Sequence, residues 1–516
     1  MLSSNNFSAA IESQVSRSGS IDALLVQSLY NHTTVNQYCS AMKVGESTVS
    51  KNNTTVSVSR PTTFPQPVQV SGNTFVADAA TTVIIIPDSN PLVVPHFLAF
   101  EGGLLKDYNS NYSLVMTVNT NLGPSSSQFQ MPLWPDGEYN FYIEWGDNTF
   151  DHITTYDDPA VTHIYASSGT YTIRCYGLIN GFGVRDTSLY TDFSKLAVIS
   201  EWNELFSLGT NATNAFLDCY QLLFTAPKPF NLANTTNLTK AFSYAHNGNP
   251  VSAPLWDTSQ VTTMESMFFL TFAFNQNISA WDVSKVQNFN FFLVGANTFN
   301  HPLNDWDVSS AVNMQLMFGF LPLFNQPLNN WNVSNVNNMS GMFYGCSVFH
   351  QDLNNWNVSK VANMSNMFEN ATQFNGDITT WDVSNVRSFS YMFDGASHFN
   401  RNLSGWDVSS LLTANSMFKN AVLFKQNLAA WSPFQCEDMT DMFFNVDMNS
   451  PSSAVNQNNY NALLLSWGTE PKLSQMRPNV VFDAGLSMYS NTGSVVAARQ
   501  ALINKGWTIT DGGSSP

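Results

Sequence analysis

Charge is scarce in this chain. Asp, Glu, Lys and Arg together make up 11% of its 516 residues, with 20 Lys or Arg against 37 Asp or Glu and a net charge of −17. A duplex-binding protein needs clustered Lys and Arg to displace phosphate counterions, and no such cluster is present, so nucleic acid is not an expected partner. Cysteine is also sparse: Cys39, Cys175, Cys219, Cys346 and Cys436 are odd in number, widely scattered and without a CxxC pair. That excludes metal knuckles and a dense disulfide framework. Long apolar runs are missing too. The most apolar stretch, TTVIIIP at Thr81–Pro87, is far too short for a bilayer, so no membrane span is expected. The opening MLSSNNFSAAIESQVSRSGSIDALLVQ has no basic region ahead of an apolar core, so it does not read as a secretory signal, and no C-terminal anchor is read after Trp507.

Aromatic residues, at 13%, are plentiful and periodic. Tryptophan recurs every 25 residues as Trp256, Trp281, Trp306, Trp331, Trp356, Trp381, Trp406 and Trp431. A fixed period of this size marks repeats, each burying its apolar face against the next. Counting each tryptophan as zero, other apolar columns fall into register. Position +5 runs from Val261 to Cys436, and position +12 from Phe268 to Phe443. Position +11 reads Met267, Phe292, Met317, Met342, Met367, Met392, Met417 and Met442. Position +18 is Phe from Phe274 to Phe424, and +22 is Leu or Ile from Ile278 to Leu428. The tryptophan and methionine columns are therefore the expected repeat core. Cys436 lies in an apolar column and Cys346 close to one, where a thiol behaves as a small hydrophobe.

Within Trp331–Asn355, Trp and Val at 0 and +2 suit one face of a short extended segment, while Met and Phe at +8, +11 and +12 suit one face of a helical turn. Asp or Asn at +1 and Ser at +3 read as turn and cap residues. The rest of the chain divides around this array. Residues 1–95 read as an attachment region, a short helix at Ile21–Tyr30 followed by β-rich chain such as TVSVS at Thr55–Ser59. Residues 96–190 carry the strand patterns SLVMTVNT, YNFYIEW and GTYTIRCYGL of a small β-sandwich. Residues 191–448 form the array, degraded at first, with Phe216 and Phe242 standing 26 apart, and 449–516 a cap closed by NVVFDAG and GWTITDGG. The expected fold class is mainly β with short helical turns.

The unit W-D/N-V-S-x-V-x-N-M-x-x-M-F-x-x-A-x-x-F-N-x-x-L resembles the BspA-like or mycoplasma-lipoprotein type of surface repeat over roughly Phe230 to Met448, and GWTITDGG resembles the usual close of those proteins. YNFYIEWGDN at Tyr139–Asn148 and HIYASSGTYTI at His163–Ile173 resemble a PKD-like (Ig-like) β-sandwich, with Asn148 where that family's turn ends in glycine. The resemblance implies a leucine-rich-repeat-like solenoid used for adhesion, display or scaffolding. It brings no catalytic residue with it.

Residue by residue, structural readings prevail over chemical ones. The eight histidines, His32, His96, His152, His163, His246, His301, His350 and His398, show no metal-protease spacing, and no nucleophile elbow, phosphate loop or dinucleotide fingerprint occurs. His301, His350 and His398 stand two rungs apart and read as surface loop residues. The carboxylates Asp257, Asp282, Asp307, Asp382 and Asp407 form a ladder at +1, but Asn332 and Asn357 interrupt it, which favours turn capping over calcium. Asp147 reads as a turn former, and the sequons at Asn31, Asn53, Asn111, Asn211, Asn237, Asn277, Asn332 and Asn357 follow from composition. No enzyme activity, cofactor or metal is expected. The leading expectation is a virion-associated structural protein of a large DNA virus, held to the particle by residues 1–95. The alternative is a microbial cell-surface or secreted adhesin. Its partners would be other structural proteins of that particle or surface, or a host-surface protein or glycan.

Overall fold

The computed structural model describes residues 112–123, 127–185, 192–449 and 459–515, and of the residues before 112 the backbone of nine short strands. The described chain is mainly β with few helices. It divides into two compact units, one comprising Met1–Val115, Asn140–Ile153 and Tyr171–Gly177, the other the remaining segments including Leu178–Pro516.

In the first unit, Thr55–Val58, within the alternating TVSVS stretch, pairs with Ser47–Asn52 in a hairpin. Its other edge takes Leu25–Gln27, antiparallel, in the middle of the stretch expected to be helical. A short helix without a partner is marginal in water, whereas an exposed strand edge supplies partners immediately. The rest of Ile21–Tyr30 lies outside the described residues. Thr82–Ile86, His96–Glu101 and Leu104–Asp107 form a separate three-stranded sheet. This unit's part of the larger sheet runs in the order Phe150–Ile153, Leu133–Glu144, Thr170–Phe182, Leu114–Asn119, with Phe141 opposite Ile153 and Glu144 opposite Phe150. The turn joining the first two is closed by the Trp145 N–H on the Thr149 carbonyl at 3.1 Å and by the Asp147 carboxylate, which accepts from the Thr149 N–H at 3.1 Å. Asn148 sits there at φ 71°, the left-handed conformation that glycine takes freely and asparagine tolerates, so the missing glycine leaves the turn intact.

In the second unit, Leu196–Trp202 and Leu223–Phe224 are neighbours and pair in parallel. From Asn211 the parallel pairing contracts to single bridges: Asn211 to Asn237, Thr263, Asn288, Asn313, Asn338, Asn363, Ser388, Thr413 and Asp438 in succession. These residues occupy +7, and each step links one repeat to the next.

The turn after each bridge is not the helical turn the +8, +11 and +12 pattern suggests. Residues at +10 and +14 adopt positive φ in every rung, from Ser266 and Leu270 to Asp441 and Asn445. N–H groups at even positions then point to the next rung, as in Met264 to Asn288 O at 3.0 Å and Phe268 to Phe292 O at 3.0 Å. N–H groups at odd positions fold back three residues, as in Met267 to Met264 O at 3.2 Å. A helix would keep all these donors within its own turn. Here the adjacent rung takes half of them, and the backbone is satisfied without extended strands.

Sequence patterning at the C-terminus anticipates only strands. Val481–Asp483 and Thr508–Thr510 do continue the ladder from Asp438–Met439 in parallel. Helices at Asn459–Trp467 and Gly493–Asn504 pack on each other, and Trp467 meets Phe482 at 5.5 Å and donates Nε1 to the Trp431 carbonyl at 3.0 Å, sealing the last rung. Lys472 sends Nζ to the carbonyls of Ala429, Ala430 and Trp431 at 2.9, 3.1 and 2.8 Å, supplying donors that a further rung would otherwise provide.

Candidate interaction surfaces of the repeat array

The eight periodic tryptophans, Trp256 to Trp431, are each 4% exposed or less, and Met267, Met317, Met342, Met367, Met392, Met417 and Met442 are buried with them. Indole Nε1 of Trp281 through Trp431 donates to a main-chain carbonyl 28 residues earlier, at 2.8–3.3 Å. Adjacent rings stack, for example Trp331 on Trp356 at 6.2 Å and 2°. In the degraded first rungs Phe230 fills the column, stacked on Trp202 at 4.2 Å and against Trp256 at 5.2 Å. With their polar edge spent on a carbonyl and their faces on neighbouring rungs, these side chains are walls of the interior and take no ligand.

The +1 ladder forms turns. Oδ1 of Asp257, Asp282, Asp307, Asp382 and Asp407 accepts the N–H two residues on at 2.9–3.1 Å, and Asn332 and Asn357 make the same bond at 3.2 and 3.1 Å. The serine hydroxyl, then its N–H, holds Asp257, Asp282 and Asp382 below the usual carboxylate range. Two further ladders are made by the asparagines at +7 and +19 of the repeat unit. At +7, Asn288, Asn313, Asn338 and Asn363 cap the N–H at +9, and at +19 Asn300 and Asn325 cap the N–H of the following rung. Their signal was a recurring asparagine in the register already drawn. Among the described residues no three His, Cys, Asp or Glu side chains converge as a metal site.

Cys175, Cys219, Cys346 and Cys436 are buried and unpaired. Burial pushes the Cys346 and Cys436 thiols up to about 12, which suppresses the thiolate a nucleophile requires. Cys39, His32 and His96 carry no described side chain. His152 stacks on Tyr142 at 4.4 Å, and His301 bonds the Asn275 carbonyl at 3.1 Å. His350 and His398, two rungs apart in sequence, line one open cavity with Arg401 and Lys425.

A further exposed apolar feature lies on the first rungs. Tyr244, Phe269 and Phe291 contact in file, at 5.3 and 5.9 Å between ring centres. Beside them Tyr220, His246 and Phe272 form a second file, at 5.0 and 4.7 Å. None of these belongs to an interior column. Tyr220 is 42% and Phe272 39% exposed. The first file borders an open groove of about 370 Å³, which also takes in Lys240 and Asp218. Asp218 accepts the Tyr220 hydroxyl at 3.1 Å, and desolvation followed by that bond raises the phenol above its ordinary range. The side chain of Lys240 makes no hydrogen bond or ion pair among the described residues. Rings outside the periodic columns carry no repeat signal, so no spacing groups them.

Comparison with known proteins reaches the array alone. The family profile described as Mycoplasma protein of unknown function, DUF285, matches residues 236–356 and again 338–458. This agrees with the mycoplasma-type surface repeat the sequence resembles, and it does not extend to residues 96–190. No curated protein and no solved structure matches the chain.

Proposed function

We propose that the chain is a non-enzymatic surface protein whose repeats stack as a leucine-rich-repeat-like solenoid and present the aromatic groove of the first rungs to a protein partner. The observation that carries this reading is the double file of contacting, part-exposed rings outside every interior column, since exposed aromatic patches mark contact surfaces. The interior columns repeat strictly while the outer positions +10, +13 and +16 change character from rung to rung, as suits a fixed scaffold with a variable face. A PKD-like sandwich at residues 96–190, supported by the Trp145–Thr149 turn, accords with a protein displayed outside a cell. The particle-bound alternative draws no support from the family match, and the adhesin reading is preferred.

Two measurements test this. Protease applied to intact cells should cleave the chain without lysis; complete protection would remove the surface location. Purified full-length chain should bind partner cells, and pretreating those cells with protease should abolish binding. Tyr244→Ser with Phe269→Ser should reduce binding at least tenfold with thermal unfolding unchanged. Undiminished binding by the folded double variant would remove the groove from the reading.

A further inference from the structure

On the side where columns +17 to +20 stack, a cavity of about 720 Å³ is lined by the basic side chains of His350, His398, Arg401 and Lys425. The same columns elsewhere are an amide ladder, with Asn275, Asn300 and Asn325 at +19 and Gln276, Gln326 and Gln351 at +20. In that ladder Asn300 Oδ1 accepts from the Asn325 N–H at 3.0 Å and from Gln326 Nε2 at 3.1 Å. Basic residues replace amides at His301, His350, Arg401 and Lys425, and the last three line the same cavity. In a chain with 20 Lys and Arg and a net charge of −17, this concentration is local and of the opposite sign to the whole.

Arg401 and Lys425 are held in place while remaining available. Arg401 is anchored by Nε on the Asn375 carbonyl at 2.7 Å, and its two terminal amino groups have no hydrogen-bond partner among the described residues. Lys425 Nζ rests on the carbonyls of Asp447 and Asn449 at 3.0 and 3.2 Å, neutral acceptors that leave its charge uncompensated. The main chain fixes both imidazoles through Nδ1, His350 on Val348 O and His398 on Thr372 O, each at 2.9 Å. No carboxylate lines the cavity. Asp377 stands nearby; the Thr379 N–H and hydroxyl dominate its lowered titration, and Arg401 adds a smaller contribution. The other lining groups are the amides of Gln373, Asn375 and Asn400 and the apolar side chain of Leu423, 48% exposed.

We propose that this cavity binds an acidic saccharide. Arg401, with its planar fork, and Lys425 would take a sulfate or carboxylate. Amides donate and accept at once, as sugar hydroxyls require. Leu423 offers an apolar patch to a ring face. An acidic peptide fits less well, because the rung-to-rung bonds already occupy the neighbouring main-chain groups that would pair with a peptide backbone. The site shares no residue with the aromatic groove and stands independently of the function proposed above.

The test is calorimetric titration of the full chain with a heparin-derived tetrasaccharide, a hyaluronan tetrasaccharide, a neutral tetrasaccharide, inorganic sulfate and a Glu-rich peptide. At least one acidic saccharide should bind, at least tenfold more tightly than the neutral one, the peptide and inorganic sulfate, and more weakly as salt rises. Arg401→Gln and Lys425→Asn restore the amides found at these positions in other rungs, so the fold is preserved. Each should weaken binding at least tenfold with an unchanged melting temperature. Equal binding of the neutral saccharide, equal binding of sulfate alone, preference for the peptide, or binding unaffected in the double variant would each overturn the proposal, as would no binding by the acidic saccharides.

Discussion

The indole N–H of Trp356 donates to the main-chain carbonyl of Leu328 at 2.9 Å, tying one rung to the end of the rung before it. The tryptophan column therefore does two things, filling the interior with stacked rings and giving the Leu328 carbonyl a second donor beside the Trp331 N–H, which it accepts at 3.1 Å. Trp356→Phe should cost about 0.5–1.5 kcal/mol, because the ring is largely kept while one of the two hydrogen bonds to the Leu328 carbonyl is lost. Trp356→Ala should cost about 3–5 kcal/mol. Loss of amide-exchange protection should centre on the adjoining rungs, as expected for a one-dimensional array. Equal stability of the Phe variant and the parent would show that the hydrogen bond contributes nothing.

The left-handed positions make a second prediction. Gly345 sits at +14 with φ 70°, and a Cβ placed there would lie 3.3 Å from Phe320 Cδ1. Gly345→Ala should destabilise by about 1–2 kcal/mol. Gly345→Asn should be milder, since Asn370, Asn420 and Asn445 hold the same conformation at +14 in other rungs. Denaturant midpoints of the two variants decide it, and an alanine variant at least as stable as the asparagine variant would contradict the argument.

Positions +10 and +14 also mark where sequence reading reached its limit. Apolar columns are legible because burial demands the same residue type at every turn, so Trp281, Met342 and Phe368 declare themselves by spacing. Backbone conformation is not declared in that way: Leu316, Phe320 and Tyr391 occupy left-handed positions that neighbouring rungs give to Gly or Asn. A reading from side-chain period alone therefore substitutes a helical turn. The two candidate surfaces were hidden for a related reason. Tyr244 with Phe269, and His350 with Arg401 and Lys425, are departures from the repeat, and only stacking shows which departures are neighbours. The C-terminal helix Asn459–Trp467 offered a signal in its run NALLLSW, which strand patterning alone overlooks.

The +1 ladder carries a pH dependence whose sign can be worked out. Hydrogen bonds from Ser384 lower the Asp382 titration below the usual carboxylate range. A depressed folded-state value contributes stability above the unfolded pKa, near 4, and loses it as pH falls through the folded value. Asp382→Asn keeps the acceptor, as Asn332 and Asn357 do. It should change stability little at pH 7 and reduce the loss of stability as pH falls below about 4. Parallel acid titrations of parent and variant by circular dichroism measure this. An unchanged acid limb would mean that the ladder does not contribute to it.

Lys195 and Asp192 provide the last prediction. Lys195 is fully buried, and its Nζ lies 2.5 Å from Asp192 Oδ1 and 2.8 Å from the Gln128 carbonyl. The other carboxylate oxygen, Oδ2, accepts the Gln130 N–H at 2.9 Å. Two ions and two main-chain groups thus satisfy one another away from water. Lys195→Met keeps much of the volume but strands a buried carboxylate and a carbonyl, which should cost about 3–5 kcal/mol. Asp192→Asn retains an acceptor for Gln130 and leaves the ammonium without its counter-ion, again a large loss. The Lys195→Met, Asp192→Asn double variant removes both charges, so its loss should fall well short of the sum of the singles. Thermal unfolding of the four proteins closes the cycle. Strict additivity would mean that the two side chains act independently, and that the buried pair is not the unit of stability in this part of the chain.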